Sequence, residues 1–144
     1  MRLRFLVLIL VVILGVSVIS FLLHSAIYFV RDVSIKDVIS ESQSLDGDRV
    51  RLRGYVVEAS GYMFGPKYAL RNFEDKAEIA LCGKGGPKNV NLEPYVSFIF
   101  DGENYTKIRD IIVIIVGIVH NIGLATDSPP VCLDVEEIEP STTT

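Results

Sequence analysis

The sequence predicts a mainly β domain that follows a single N-terminal transmembrane helix. Three observations carry this prediction. Residues 5–30 form an apolar run without one charged side chain. Several short segments between residues 49 and 138 alternate apolar and polar side chains, which is the period of a half-buried strand. Residues 111–119 are almost entirely β-branched, which is typical of a fully buried central strand.

The apolar run predicts a transmembrane signal anchor over residues 1–30, with the lipid bilayer contacting residues 5–30. A helix rises about 1.5 Å per residue, so about 20 apolar residues cross the hydrocarbon core. Arg2 and Arg4 precede the run in a very short flank, which favours a C-terminal domain outside the cytoplasm. We therefore expect a single-pass protein of the cell membrane.

A cleaved signal peptide is the alternative to a retained anchor. Val18 and Ser20 are small enough to precede a cleavage site. However, the apolar run continues to residue 30 and exceeds the usual length of about 7–15 residues for the apolar part of a signal peptide.

The 114 residues after Val30 are enough for one compact domain, which we place at residues 31–139. They contain 12 basic and 18 acidic residues, so the domain has a net charge of −6. Binding to a phosphate backbone depends on Lys and Arg, so nucleic acid is not an expected partner. Residues 140–144, a proline followed by serine and threonines, predict a disordered tail.

The order of elements begins with a short helix over residues 33–42, in which Ser34 is placed to cap the first turn. The predicted strands lie at residues 49–56, 68–70, 77–82, 111–119 and 131–138. Residues 95–100 are also strand-like. Gly54 interrupts the first strand and predicts a bulge or a sharp bend there.

Three of these segments resemble the OB-fold of tRNA anticodon-binding domains. They are residues 48–56 (DRVRLRGYV), 68–75 (YALRNFED) and 112–119 (IVIIVGIV). The resemblance extends over residues 33–139 and implies a five-stranded Greek-key barrel. It also implies a ligand site on the second and third strands and their flanking loops. It does not imply one activity, because a fold hosts many functions.

The candidate ligand-binding side chains are Tyr55, Tyr62, Phe64, Tyr68 and Arg71. Aromatic faces can stack on planar ligands, and an arginine can add a cation–π contribution. In the alternative interpretation, which the sequence favours, the rings close the mouth of the barrel or contact the membrane surface.

Two further candidates depend on the domain being outside the cytoplasm. Cys82 and Cys132 are the two cysteines of the chain, and an oxidising compartment would permit a disulfide between them. Two buried free thiols are the alternative. Asn104 begins an Asn-Tyr-Thr sequon for N-glycosylation.

Catalysis has no support from the sequence, so we expect neither an enzyme, a metal site nor a cofactor. The glycine-rich residues 83–86 lack the strand–loop–helix context and the following Ser or Thr of a phosphate-binding loop. Arg49, Arg51 and Arg53 form a basic row that can contact phosphate or lipid headgroups. Pairing with acidic side chains of neighbouring strands is the favoured interpretation of this row.

The sequence thus predicts a membrane-anchored, non-enzymatic module that binds another membrane or extracytoplasmic protein, or a small ligand. One alternative comes from a likeness in layout to the haem chaperone of cytochrome c maturation. That family attaches haem in a C-terminal His- or Cys-x-x-x-Tyr motif, whereas Cys132 is followed by Glu136 here. The other alternative is a nucleic-acid-binding module that faces the cytoplasm.

Overall fold

The structure is a computed structural model that describes residues 1–59, 67–82, 90–121 and 131–142, and the backbone alone at residues 26–28. An apolar N-terminal helix precedes a domain made mainly of strands, which confirms the predicted class. The first helix, α1, spans Arg2–Tyr28. Its segment Arg2–Ser25 is long and apolar enough to cross a membrane, and none of it is buried against the domain.

Two serine side chains within α1 are satisfied by the helix itself. The hydroxyl of Ser17 donates to the carbonyl oxygen of Ile13 at 2.8 Å, and that of Ser25 donates to Leu22 at 3.0 Å. Such local bonds remove the main cost of placing a hydroxyl in hydrocarbon.

Eight strands form one sheet in the described part of the domain. Two short helices, α2 (Ile35–Ser40) and α3 (Ser42–Leu45), precede most of it. The strands are β1 (Arg31–Asp32), β2 (Arg49–Ala59), β3 (Tyr68–Arg71), β4 (Glu78–Cys82), β5 (Val96–Phe100), β6 (Tyr105–Lys107), β7 (Ile112–Asn121) and β8 (Val131–Pro140). A 3₁₀ turn, Glu93–Tyr95, leads into β5.

Five of the strands pair in a closed circuit. β2 is antiparallel to β3, and β3 is antiparallel to β4. β4 is parallel to β8, β8 is antiparallel to β7, and β7 returns antiparallel to β2. These five are the predicted strands. The sheet also contains β5, which matches the strand-like residues 95–100, and two strands that were not predicted, β1 and β6. β1 and β5 each lie parallel to β2, and β6 lies antiparallel to β5.

The core lies on the inner face of this circuit. It consists of the alternate apolar side chains of the five strands, together with Ile35 and Val38 from α2, Leu45 from α3, and Leu92 and Val96 just before and at the start of β5. The helix α2 is fixed at its start as predicted, because Ser34 accepts a hydrogen bond from the Asp37 amide at 3.1 Å. This bond satisfies a backbone donor that a helix leaves free.

Two glycines lie where a second strand passes very close to the backbone. The pairing of β2 with β7 has no register shift at Gly54, so the bulge predicted there is absent. Instead, a Cβ at Gly54 would lie 2.8 Å from the carbonyl oxygen of Arg71. At Gly117, beside a register shift between β7 and β8, a Cβ would collide with the carbonyl oxygen of Asp134. Both positions therefore require glycine for space.

The end of the domain lies beyond the predicted boundary at residue 139. β8 continues to Pro140, and the amide of Ser141 donates to the carbonyl oxygen of Ile112 at 2.7 Å. Residues 140 and 141 are therefore held by the sheet. Of the predicted tail, this leaves residue 142, while residues 143 and 144 lie outside the described range.

We expect Gly117→Ala to lower the free energy of unfolding by roughly 1–3 kcal/mol, because the added methyl group must displace backbone and the Leu133 side chain. Urea unfolding of the full chain in detergent, followed by tyrosine fluorescence, measures this change. Gly15→Ala is the matched control, since nothing lies within 4 Å of a Cβ there. An equal effect of the two substitutions would contradict the argument.

Candidate functional site

Tyr55 and Arg71 lie directly opposite each other on β2 and β3. Side chains alternate between the two faces of a strand, and the neighbours Val56 and Leu70 are fully buried in the core. Tyr55 and Arg71 therefore project from the outer face. Two of the five predicted ligand-binding residues are brought together in this way.

Arg71 belongs to a partly buried polar network on that face. Its Nη1 donates to Glu78 Oε2 and to the Tyr105 hydroxyl, both at 3.0 Å. The Tyr105 hydroxyl donates in turn to the same carboxylate oxygen at 2.7 Å. The Arg71 side chain is 16% exposed and that of Glu78 is 31% exposed, so the ion pair is largely shielded from water.

Aromatic rings surround this network. The guanidinium of Arg71 lies 4.5 Å from the ring centroid of Tyr105 and 5.1 Å from that of Phe73. Both distances are within the range of cation–π contacts. The side chain Nε of Arg71 is buried and has no hydrogen-bond partner. The arginine therefore keeps one donor that the described residues do not use.

The rings contact one another in edge-to-face, tilted and stacked arrangements. Phe98 lies 4.3 Å from Phe73 and 5.3 Å from Tyr55, and Phe100 lies 4.7 Å from Tyr105. We call the half-exposed outer surface made by these five rings, with Arg71 and Glu78, the aromatic face. Its rings come from three strands and one turn, so long-range pairing assembles it.

A buried serine fixes the β5–β6 hairpin that carries three of these rings. Ser97 is fully buried, and its hydroxyl donates to the Ile111 carbonyl oxygen at 3.0 Å while accepting from the Ile111 amide. It lies where the register of β5 against β2 shifts by one residue. That shift directs Phe98 to the outer face beside Tyr55.

The hydroxyl of Tyr55 donates to the Asp110 carboxylate at 3.2 Å. Burial raises the pKa of Tyr55 above its ordinary value, and the negative charge of Asp110 raises it further. Lys107, whose Nζ is 3.1 Å from Asp110, lowers the pKa of that carboxyl, and the Tyr55 hydroxyl also lowers it. The hydrogen bond between Tyr55 and Asp110 thus forms a defined polar contact at the edge of the aromatic face.

The structure separates Tyr68 from this group. Tyr68 packs against the inner core, and the ammonium of Lys67 lies 5.2 Å from its ring centroid. Tyr62 and Phe64 lie outside the described residues. The sequence patterns did not identify five other members of the aromatic face, namely Phe73, Phe98, Phe100, Tyr105 and Glu78. The alternation of Phe98 and Phe100 was the one available signal, since such spacing places both rings on one strand face.

The sequon that begins at Asn104 adjoins the aromatic face, because its second residue is Tyr105. Cys82 and Cys132, on the paired strands β4 and β8, are joined by a disulfide with their Cα atoms 5.7 Å apart. Asn104 is exposed in the β5–β6 turn, where its backbone amide donates to Asp101 Oδ1 at 2.8 Å. Within the described ranges, no group of three or more His, Cys, Asp or Glu residues is placed to hold a metal ion.

The basic row of β2 pairs largely with acidic side chains, as the sequence analysis favoured. Arg49 contacts Glu136 and Glu137 on β8, with Nη2 of Arg49 at 3.1 Å from Glu137 Oε1. Arg51 contacts Asp32 on β1 at 3.2 Å. The hydrogen bond to Glu136 is the main reason that the pKa of Arg49 is raised.

Comparison with known proteins identifies no relative. No protein-family model matches the chain, and no curated protein and no solved structure is significantly similar to it.

Replacing Glu78 with Gln is expected to lower the free energy of unfolding by roughly 1–3 kcal/mol, because the shielded Arg71 charge loses its carboxylate partner. Urea unfolding measures the change. Glu58→Gln is the control, since Lys67 in that pair is 61% exposed and such pairs are worth at most about 1 kcal/mol. Equal losses would show that the Arg71–Glu78 pair is not specially shielded.

The pKa of Asp110 is expected below its ordinary value, and Lys107→Met should raise it more than Tyr55→Phe, because Lys107 is the larger cause. A lowered pKa stabilises the fold at pH values above the unfolded-state pKa. That stabilisation is lost as the pH falls through the folded-state pKa. Carbon-13 NMR of the carboxyl groups against pH measures both values, and a reversed order of the two variants would refute the assignment.

Proposed function

We propose that the chain is a single-pass membrane protein whose C-terminal domain is an OB-fold barrel outside the cytoplasm. The domain binds another protein or a small ligand and has no enzymatic activity. The aromatic face is the observation that supports this function best, because it lies on the outer side of β2 and β3. The OB-fold resemblance implies a ligand site on the second and third strands of the circuit, β3 and β4, which contribute Arg71 and Glu78 to this face.

The strand pairing supports the barrel. The hydrogen-bonded circuit passes through β2, β3, β4, β8 and β7 and returns to β2. None of these five strands therefore has an edge that is unpaired along its whole length. Closure of this kind is the arrangement that the resemblance implies. The inner face is filled by side chains of the core, so a ligand would bind outside the barrel.

The location is supported by three features. The segment Arg2–Ser25 has the length and composition of a membrane span. The disulfide between Cys82 and Cys132 is of a kind that persists in oxidising compartments. Asn104 is exposed, as a glycosylated asparagine must be.

The chemistry of the aromatic face favours a ligand with a flat or apolar surface and a hydrogen-bond acceptor. Half-exposed rings supply stacking area, and the Arg71 guanidinium, whose side chain is 16% exposed, supplies positive charge and N–H donors. The domain's net charge of −6 disfavours nucleic acid. The haem and nucleic-acid alternatives stay predictions, with no described contact adding to them.

Topology is tested with a membrane-impermeant maleimide on intact cells that express Glu103→Cys. Because residue 103 is exposed in the β5–β6 turn, we expect labelling without permeabilisation. Leu3→Cys, which lies in front of the apolar run and leaves both N-terminal arginines in place, should be labelled only after permeabilisation. The opposite pattern would place the domain in the cytoplasm and would overturn the proposed location.

The binding face is tested in the same cells with a photoreactive phenylalanine analogue in place of Phe73. We expect one discrete cross-linked species that is weakened about tenfold by Arg71→Gln, since a lost charged hydrogen bond is worth about 1.5–3 kcal/mol. The analogue at Ile39, an exposed position on α2, is the control. Identical products at both positions would show that the aromatic face does not select a partner.

A further inference from the structure

The outer face of β7 carries a second row of apolar side chains. Val113, Ile115 and Val119 point inward and are fully buried, while Ile112, Ile114 and Ile118 point outward and are only partly buried. A strand of an antiparallel sheet that faces water normally carries polar residues on that side. The sequence of β7 is therefore typical of a strand buried on both faces, but one copy of the chain fully buries only the inner face.

Charged rows of opposite sign flank this apolar row. On one side β2 contributes Arg49, Arg51 and Arg53, which pair in register with Ile118, Val116 and Ile114. On the other side β8 contributes Asp134, Glu137 and Glu139, which pair with the same three residues of β7. Neighbouring strands are about 4.8 Å apart, so the basic and acidic rows are about 10 Å apart.

One end of this surface is closed by contacts within the chain. Arg49 reaches across β7 to Glu136 and Glu137, and Val116 beneath it is 6% exposed. Arg51 turns away toward Asp32 on β1. Toward the other end, Ile114 is partly exposed between Arg53 and Glu139, both of which are exposed.

We propose that this β2–β7–β8 face packs against the same face of a second copy of the chain. Two copies stacked face to face about a twofold axis parallel to β7 place the basic row of each opposite the acidic row of the other. Each Arg53 then meets the partner's Glu139, and the two Ile114 side chains meet near the axis. A twofold axis perpendicular to the strands would instead oppose basic with basic, so charge selects one arrangement.

This symmetry also suits two chains held in one membrane. A twofold axis parallel to β7 keeps the strands of both copies pointing the same way. Only Phe29 and Val30 separate α1 from β1, and β1 is parallel to β2. The two N-terminal helices therefore leave the paired domains at the same end. The inference is independent of the ligand of the aromatic face.

The test uses the full chain in liposomes at low protein-to-lipid ratio. Ile114→Cys introduces the sole free thiol, because the two native cysteines are joined. We expect a short bifunctional maleimide to link two copies through residue 114. Ile108→Cys, at an exposed position before β7, should give at least tenfold less product. Absence of the residue 114 product, or equal products at both positions, would overturn the proposal.

Charge reversal in the Ile114→Cys background separates this contact from association of the N-terminal helices. Arg53→Glu and Glu139→Lys should each lower the cross-linked fraction about tenfold, since like charges then oppose each other twice in the pair. Mixing the two variants, one carrying a size tag, should restore a mixed product. Lys36→Glu and Glu103→Lys are the matched controls and should leave the fraction unchanged. Unaffected reversals, or a mixture that does not recover, would refute the arrangement.

Discussion

The whole sheet depends on β2 changing its partners halfway along its length. Its first half is hydrogen-bonded to β7 on one edge, and its second half is hydrogen-bonded to β5 on that edge and to β3 on the other. The change occurs around Tyr55, next to the glycine that lets the Arg71 backbone approach. This one change of partners allows the circuit to close and the β5–β6 hairpin to be added. It also sets the position of the aromatic face.

Local patterns in the sequence predict what local chemistry determines. The alternation across residues 49–53 and the capping serine at residue 34 identify a strand and a helix without knowledge of their partners. β1 and β6 were missed because two or three mostly polar residues have no periodicity, and pairing alone makes them strands. For the same reason Tyr55 and Arg71 were found together, whereas Phe73, which lies in a turn, and Tyr105, which lies on a strand that was not predicted, were not.

The strand β2 contributes side chains to both the aromatic face and the β2–β7–β8 face. Residues 49, 51 and 53 of β2 present arginines next to β7, and residue 55, which pairs with Ile112 of β7, presents a ring that contacts Phe98 of β5. Because outward side chains follow one another every second residue, the two surfaces adjoin without sharing a side chain.

The short connection between α1 and β1 sets a geometric limit on the domain. With α1 in a bilayer, a linker of two residues keeps the domain close to the membrane, whereas a long flexible linker would let it reach a much larger volume. β1 is hydrogen-bonded to β2 directly after that connection. Under the proposed anchoring, a partner must come to the lipid surface, and for a partner that is itself in the membrane, lateral diffusion rather than extension of the domain governs how often the two meet.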